Sequence, residues 1–266
     1  MIVEQIWTGN AYRNFNYLIV CPDTGAALAV DPLDHVKCLA RAKSNGWTIT
    51  QVLNTHEHGD HTGGNGPVIA ATGAKLLAHA NAGAKIKGID VGLKAGDVIR
   101  VGKTVELEAL DTPGHTMSHV CLLSHTDTPA LICGDTLFNA GAGNCHGGGH
   151  PVELYHTFAE QLAKLPDHTR IYPGHDYIQN NLAFTLDREP DNAAAAALHR
   201  CEQCRRLLPW SLEMPPRRGG EECATIRLCC DDRARRCWWT NARRVMHVIR
   251  RWRWRDWLGR RSWCFL

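Results

Sequence analysis

The short apolar run Ile49-Thr50-Gln51-Val52-Leu53 is followed at once by Asn54-Thr55-His56-Glu57-His58-Gly59-Asp60-His61, which sets three histidines and two acids into six consecutive positions. An apolar run of this length bounded by polar residues reads as a buried strand. The ligand-type cluster therefore lies just past a strand end, where a rigid element holds a loop whose side chains converge on a site. Imidazole nitrogen and carboxylate oxygen suit zinc, iron or manganese, whereas calcium and magnesium favour all-oxygen shells.

The spacing divides the cluster. His56 and His58 are two apart, so in an extended segment they point to one side and can grip one ion, while Glu57 points away and is expected in a supporting or surface role. Asp60 and His61 follow Gly59, which is expected to let the chain turn, and face a second position. Three further strand-like runs end in His or Asp beside glycine, namely "DTPGHT" with His115, "CGDTLF" with Asp135 and "YPGHDY" with His175. Any one of these histidines alone would read as an ordinary loop residue; their joint occurrence with the dense segment is what specifies metal binding. The count gives His56, His58 and His115 for one ion, Asp60, His61 and His175 for another, and Asp135 between them.

The rest of residues 1–199 alternates strands and helices. "NFNYLIV" and "GAALAVDP" read as paired strands joined at Pro22-Asp23-Thr24-Gly25, and "HVKCLARAKSNGW" as a helix closed by Asn45-Gly46. "VIAATGAKLLAH" reads as a helix and then a strand, and "TVELEALD", "HVCLLSH", "ALICGD" and "RIYPGH" as strands. "PVELYHTFAEQLAKL" is expected to be one helix with Pro at its start. "YIQNNLAFTLDRE" and "AAAAALHRCEQC" are expected to be helical. Cys121 and Cys133 lie in apolar runs and are expected as buried thiols, with His79, His119 and His125 in structural roles. The loop "GAGNCHGGGH" (141–150) lacks the Gly-Lys-Ser/Thr of a phosphate-binding loop.

The motif "THEHGDH" followed by "TGGN" resembles the signature of the metallo-β-lactamase superfamily. Within it, "TPGHTMSHV", "GDTLFNAGAG" and "YPGHDYIQNNLAFTLDREPDN" are similar to the blocks of the glyoxalase II (hydroxyacylglutathione hydrolase) group, over residues 1 to about 199. The resemblance implies an α/β fold, a four-layer αββα sandwich with the site at one edge. It places the same seven residues on the family's dinuclear ligands, most simply for two zinc ions, with iron or manganese as alternatives. Asp60 and Asp135 then serve as the carboxylates of the catalytic centre. Tyr177, after the last histidine, is implied as a substrate contact. So are Asn144 and His146, although that loop usually carries a basic and an aromatic residue and here reads Asn144-Cys145-His146.

Two ions sharing a water lower its pKa toward neutrality and polarise a carbonyl, and a thiolate leaves without strong acid assistance. The expected reaction is hydrolysis of a small-molecule glutathione thioester such as S-lactoylglutathione by a metal-bridging hydroxide. The alternatives are a mononuclear-iron persulfide dioxygenase, or a lactonase or β-lactamase. No run of ~18 apolar residues and no export signal occurs, so a cytoplasmic protein without a membrane span is expected; the oligomeric state is left open.

Composition breaks near His199. Residues 1–199 hold 13 Lys and Arg against 20 Asp and Glu, whereas 200–266 hold 17 arginines, no lysine and 7 acids, with seven of the nine Trp and seven of the twelve Cys. The expected organisation is a catalytic domain over 1–180, the start of a helical substrate-binding region over 181–199, and an atypical tail over 200–266. Arg, Trp and Cys share G/C-rich codons, so the tail reads as a frameshifted continuation. A genuine tail of this kind would adhere to nucleic acid or anionic membrane, the non-enzyme alternative, and Cys201 and Cys204 would form half a zinc site; nucleic acid is not expected as a partner.

Overall fold

The first two strands, β1 (Ile2–Trp7) and β2 (Phe15–Val20), pair antiparallel, and β2 shows how the core is built. Tyr17 and Ile19 enter one apolar cluster while Leu18 and Val20 enter another, as the two-residue period of a strand buried on both faces requires. The sheet continues through β3 (Ala26–Val30), β4 (Thr48–Leu53), β5 (Lys75–His79) and β6 (Val91–Leu93) in that order, with β3 to β6 running parallel. These residues come from a computed structural model that describes residues 1–207 except Asp127, and side chains as far as Arg200.

Helix α1 (His35–Ser44) is capped by Asp34, whose side chain accepts the Lys37 amide, and carries Arg41 and Lys43 in its last turn. After β4 come the four-residue α2 (Gly59–Thr62) and then α3 (Asn65–Thr72). Cys38 and Ala42 of α1 and Val68 of α3 pack on the outer face of the first sheet against Leu18, Val20, Ala27, Ala29 and Val52.

The second sheet has the order β13 (Arg170–Pro173), β10 (Ala130–Gly134), β9 (Val120–Ser124), β8 (Val105–Asp111), β7 (Val98–Val101). Ile99, Val101, Val105, Leu107, Ala109, Val120, Leu122 and Ile132 from this sheet meet Tyr17, Ile19, Leu28, Val30, Leu53 and Leu77 from the first. Two sheets thus close on one apolar layer, with helices outside, the α/β sandwich that the motifs imply. A small hairpin, β11 (Leu137–Phe138) with β12 (Gly141–Ala142), follows β10.

The segment 151–164 departs from the expected single helix. Helix α4 (Pro151–His156) gives way to a π-helical turn over Thr157–Gln161 and a 3₁₀ turn over Leu162–Lys164. Thr157 Oγ1 donates to the Pro113 carbonyl at 2.7 Å and Gln161 Nε2 to the Asp111 carbonyl at 2.7 Å, while Phe158 is buried. Both anchors hold the segment to the end of β8, and the widened turn falls between them.

The first compact unit is Met1–Asp176 and a second starts at Tyr177. The second unit holds α5 (Ile178–Arg188) and α6 (Ala193–Leu207), both where helices are expected. The tail from Leu208 onward lies outside the described residues, as do the side chains of Cys201 and Cys204. Among the described residues no helix is long and apolar enough to cross a membrane.

Candidate metal centre

The strand ends converge at one edge of the sandwich. Beta strand β4 delivers His56 and His58, α2 carries Asp60 and His61, the turn after β8 carries His115, and β10 and β13 lead into Asp135 and His175. The pairing β10–β13 shifts register between Ile132 and Gly134, directly ahead of Asp135. Gly59 has no left-handed backbone; the turn expected there is made by the start of α2, with His58 as its extended N-terminal flank.

Three groups of ligand-type atoms lie within 4.8 Å of one another: His56, His58 and His115; Asp60, His61 and His175; and His56, His61 and Asp135, which joins the two. His58 Nδ1 is 3.1 Å from His56 Nε2 and 3.0 Å from His115 Nε2, and His61 Nε2 is 3.2 Å from His175 Nε2. Donors bonded at about 2.0–2.1 Å to a tetrahedral ion stand roughly 3.3 Å apart. Asp135 Oδ2 lies 3.5 Å from His115 Nε2 and 3.1 Å from His175 Nε2, so this carboxylate stands between the triads.

The outer nitrogen of each imidazole is engaged elsewhere. His61 Nδ1 faces Asp31 Oδ2 at 3.0 Å, His115 Nδ1 the Asn144 carbonyl at 2.6 Å, His175 Nδ1 the Tyr12 carbonyl at 2.7 Å and His58 Nε2 the Gly147 carbonyl at 3.1 Å. His56 Nδ1 meets Thr55 Oγ1 at 3.0 Å, and that hydroxyl donates to Asp31 Oδ2 at 2.7 Å, so the imidazole N–H is the donor. With the outer nitrogens protonated, five lone pairs point inward at one another. Such an arrangement is repulsive until a cation joins it, and Asp135 Oδ1, buried with no hydrogen bond, is a further acceptor with no donor. The donor set fits divalent metal.

The electrostatics favour the ligating form at His56 and His115 and a cation at His61, where a metal would have to displace the proton. Burial holds the His56 and His115 pKa values below the ordinary imidazole range, His56 far below, which favours the neutral, ligating form. Burial acts the same way on His61, but the carboxylates of Asp135 and Asp31 outweigh it and raise its pKa. Burial would raise Asp135, yet His61 and His175 hold it well below the usual carboxylate range.

His119 is buried with its ring stacked on His56, 5.1 Å between centroids. Its Nε2 accepts the Asp135 amide at 3.3 Å and its Nδ1 meets Thr112 and Thr136 hydroxyls, so it holds the strand ends together as expected. His79 caps the 3₁₀ turn Ala80–Ala84 by accepting the Asn81 amide. His125 is exposed beside Glu108. Glu57 turns from the centre and pairs with Lys85 at 2.8 Å, and Cys121 and Cys133 are buried thiols.

Sequence reasoning missed Asp31, which ends β3 with a left-handed φ of 47° and binds the Thr55 amide at 2.8 Å as well as His61. No local sequence signal marks it, because Asp31 becomes a partner only through the pairing of β3 with β4. The glycine-rich loop proves to be a scaffold: a Cβ on Gly143 would stand 1.9 Å from the Asp135 carbonyl, and one on Gly147 2.5 Å from His58 Nε2. Asn144 and His146 are exposed, and the Asn144 side chain accepts the His146 amide at 3.0 Å. Tyr177 flanks the N-terminus of α5 in the second unit.

Residues 17–175 match the family model of the metallo-β-lactamase superfamily. A hydroxyacylglutathione hydrolase of Polaromonas sp. (strain JS666) is 76% identical over 198 residues, covering 74% of this chain and 75% of that one. Its counterpart from Nitrosococcus oceani is 70% identical over 198 residues, with the same coverage of 74% and 75%. Among solved structures, ETHE1 from Myxococcus xanthus superposes with a TM-score of 0.61 at 31% identity, covering 66% of this chain and 76% of that chain.

Proposed function

Since this chain belongs to the metallo-β-lactamase superfamily, within its hydroxyacylglutathione hydrolase group, we propose that it hydrolyses the thioester of S-(2-hydroxyacyl)glutathione, such as S-lactoylglutathione, to a hydroxy acid and glutathione. The observation that carries this reading is the convergence of five inward-facing imidazoles and two carboxylates in a chain 76% identical to a relative of that name. His56, His58 and His115 would hold one ion and Asp60, His61 and His175 the other, with Asp135 placed between the two groups. Zinc is the preferred metal, and the same donors accept iron or manganese.

When bound, two divalent ions supply a water acidified toward neutral pH and draw electron density from the thioester carbonyl. The chain's own residues do the rest. The carbonyls of Asn144, Gly147 and Tyr12 and the Asp31 carboxylate fix which nitrogen each histidine presents. Asp135 keeps its negative charge at working pH because His61 and His175 flank it. No side chain is needed as a strong acid, since a thiolate with pKa near ~8.5 departs unaided.

Tyr177, Asn144 and His146 are assigned as substrate contacts, Asp60 and Asp135 as carboxylates of the catalytic centre, and the cytoplasm as the compartment. The segment 200–266 is read as a frameshifted continuation, in keeping with a 198-residue similarity about as long as the part before the compositional break. The nucleotide sequence around codon 199, read in three frames, tests that assignment.

The test of the main reading is S-lactoylglutathione hydrolysis together with metal content. His58→Ala and Asp135→Ala are each expected to abolish turnover and to lower bound metal. Turnover at the wild-type level in either variant would overturn the proposal, as would oxygen uptake with glutathione persulfide in place of thioester cleavage.

A further inference from the structure

One half of the centre is backed by a loop of which only the Tyr12 carbonyl has so far been given a role. Between β1 and β2, Asn14 is fully buried, and its Nδ2 donates to the Asp60 carboxylate Oδ2 at 3.1 Å and to the Asp60 carbonyl at 3.2 Å. That same Oδ2 is the Asp60 oxygen lying 3.6 Å from His61 Nε2 and 3.5 Å from His175 Nε2. Asn14 Oδ1 accepts Asn10 Nδ2 at 2.8 Å, and the Asn14 amide donates to Asn10 Oδ1 at 3.3 Å. This reciprocal pair fixes the side-chain amide with its NH₂ toward Asp60.

Two residues earlier the Tyr12 carbonyl holds His175 Nδ1 at 2.7 Å. Arg13, between them, has a left-handed φ of 60° and is fastened by its guanidinium to the Asp176 carbonyl at 2.7 Å and carboxylate at 2.6 Å. The main chain is stitched as well: Phe15 donates to the Gly174 carbonyl at 2.8 Å and Asp176 to the Arg13 carbonyl at 3.0 Å. One loop therefore orients two of the three donors of one triad. The His56, His58, His115 triad is backed instead by the carbonyls of Asn144 and Gly147.

We propose that the loop 8–14 is the loading clasp of the ion held by Asp60, His61 and His175, and that Asn14 is the residue positioning Asp60 for it. The inference rests on the ligand assignment above. Asp60 needs such a partner: its side chain is 22% exposed against 8% for Asp135, and it stands on a helix of only four residues. A carboxylate free to change rotamer must be ordered when the ion arrives, and a preset one spares that entropy. An amide is suited to the task because it donates without carrying positive charge, so it holds the ligand oxygen and leaves its charge for the metal. Asp31 supports a histidine of each triad, His61 directly and His56 through Thr55, whereas the loop 8–14 touches only the Asp60, His61, His175 side.

The experiment uses the full chain, loaded with zinc and dialysed at a series of buffered free-zinc concentrations, with bound metal measured by mass spectrometry and a parallel cobalt(II) sample followed by its visible absorption. For Asn14→Ala, one of the two ions is expected to weaken by about 10- to 100-fold, the usual cost of losing a partner that orients a ligand. The other ion should keep its affinity, and only one component of the cobalt spectrum should fade. Wild-type affinity for both ions overturns the proposal, and so does equal weakening of both, which is what a merely structural loop would give. Should Asn14→Ala fail to fold, Asn10→Ala carries the test: it leaves Asn14 in place but frees its amide to flip, and a smaller loss of the same ion is expected, with an unchanged pair of affinities counting against the clasp. Asp60→Ala separates the two levels of the argument. If Asp60→Ala also retains both ions, the ligand assignment fails; if it loses one ion and Asn14→Ala loses none, only the clasp fails.

Discussion

Asp31 Oδ2 faces His61 Nδ1 at 3.0 Å, with the two side chains only 4% and 1% exposed. The contact couples the end of β3 to the candidate metal centre, because it leaves His61 Nε2 as the nitrogen facing His175 and Asp135. Asp31 also accepts the Thr55 amide at 2.8 Å and the Thr55 hydroxyl at 2.7 Å, so one carboxylate serves three donors.

Asp31→Asn tests this. An asparagine keeps one oxygen for the Thr55 amide but turns an NH₂ toward the hydroxyl and the imidazole N–H, leaving His61 Nδ1 without its acceptor. The expected result is a loss of metal affinity of about 10- to 100-fold and a loss of stability of roughly 1–3 kcal/mol for the unsatisfied buried donor. Zinc titration with a competing chelator and urea unfolding check the two effects; unchanged values of both would contradict the role given to Asp31.

The convergence of the seven expected residues was legible from spacing: His56 and His58 by strand period, Asp60 and His61 directly after Gly59, and His115, Asp135 and His175 by Gly-flanked strand ends. Their outer partners were not. Asn144, Gly147 and Tyr12 act through carbonyls, which every residue has, and the approach of β3 to β4 that makes Asp31 a partner is tertiary. The helix over 151–164 has the right sequence period, but hydrogen bonds from Thr157 and Gln161 to distant carbonyls reshape its middle. The short strands β6 and β7 carry too few residues for a period to register.

Gly143→Ala is expected to be more damaging than its size suggests. The added carbon would stand 1.9 Å from the Asp135 carbonyl and 2.8 Å from His115 Nδ1, so the loop must move off two residues of the centre. Overpacking of this kind costs about 1–3 kcal/mol. A lower melting temperature with weaker metal retention is expected, whereas Gly66→Ala, with open space around it in α3, is a control expected to lose no stability.

Metal removal should destabilise without unfolding. The two apolar clusters that join sheet to sheet and sheet to helix lie away from the ligands, so secondary structure survives. An ion that binds the folded chain only contributes about 2.7 kcal/mol when present at a hundred times its Kd. Chelation is therefore expected to lower the melting temperature and leave far-ultraviolet circular dichroism intact, with zinc restoring the melt. A melt indifferent to chelation would mean that the centre does not bind metal in the folded state.

The metal-free protein should show a stability maximum near the ordinary histidine pKa, for reasons that can be signed group by group. Burial lowers the folded pKa of His56, His115 and His119 below about 6.5. Below that pH the unfolded chain takes up protons that these residues refuse when folded, so each adds up to about 1.4 kcal/mol of lost stability per pH unit. His61 behaves oppositely: the Asp135 and Asp31 carboxylates outweigh burial and raise its folded pKa. Its contribution is complete below about 6.5 and fades as pH climbs through the raised folded value. Three depressed imidazoles thus remove stability on the acid side and one elevated imidazole removes it on the alkaline side. Urea unfolding of chelator-treated protein from pH 5 to 8 should rise and then decline, with the acid limb the steeper. His61→Asn should flatten the alkaline limb and, because the His61 charge adds to the burial that depresses His56, His115 and His119, soften the acid limb to a smaller extent; a curve that climbs steadily to pH 8 in the parent protein would refute the assignment.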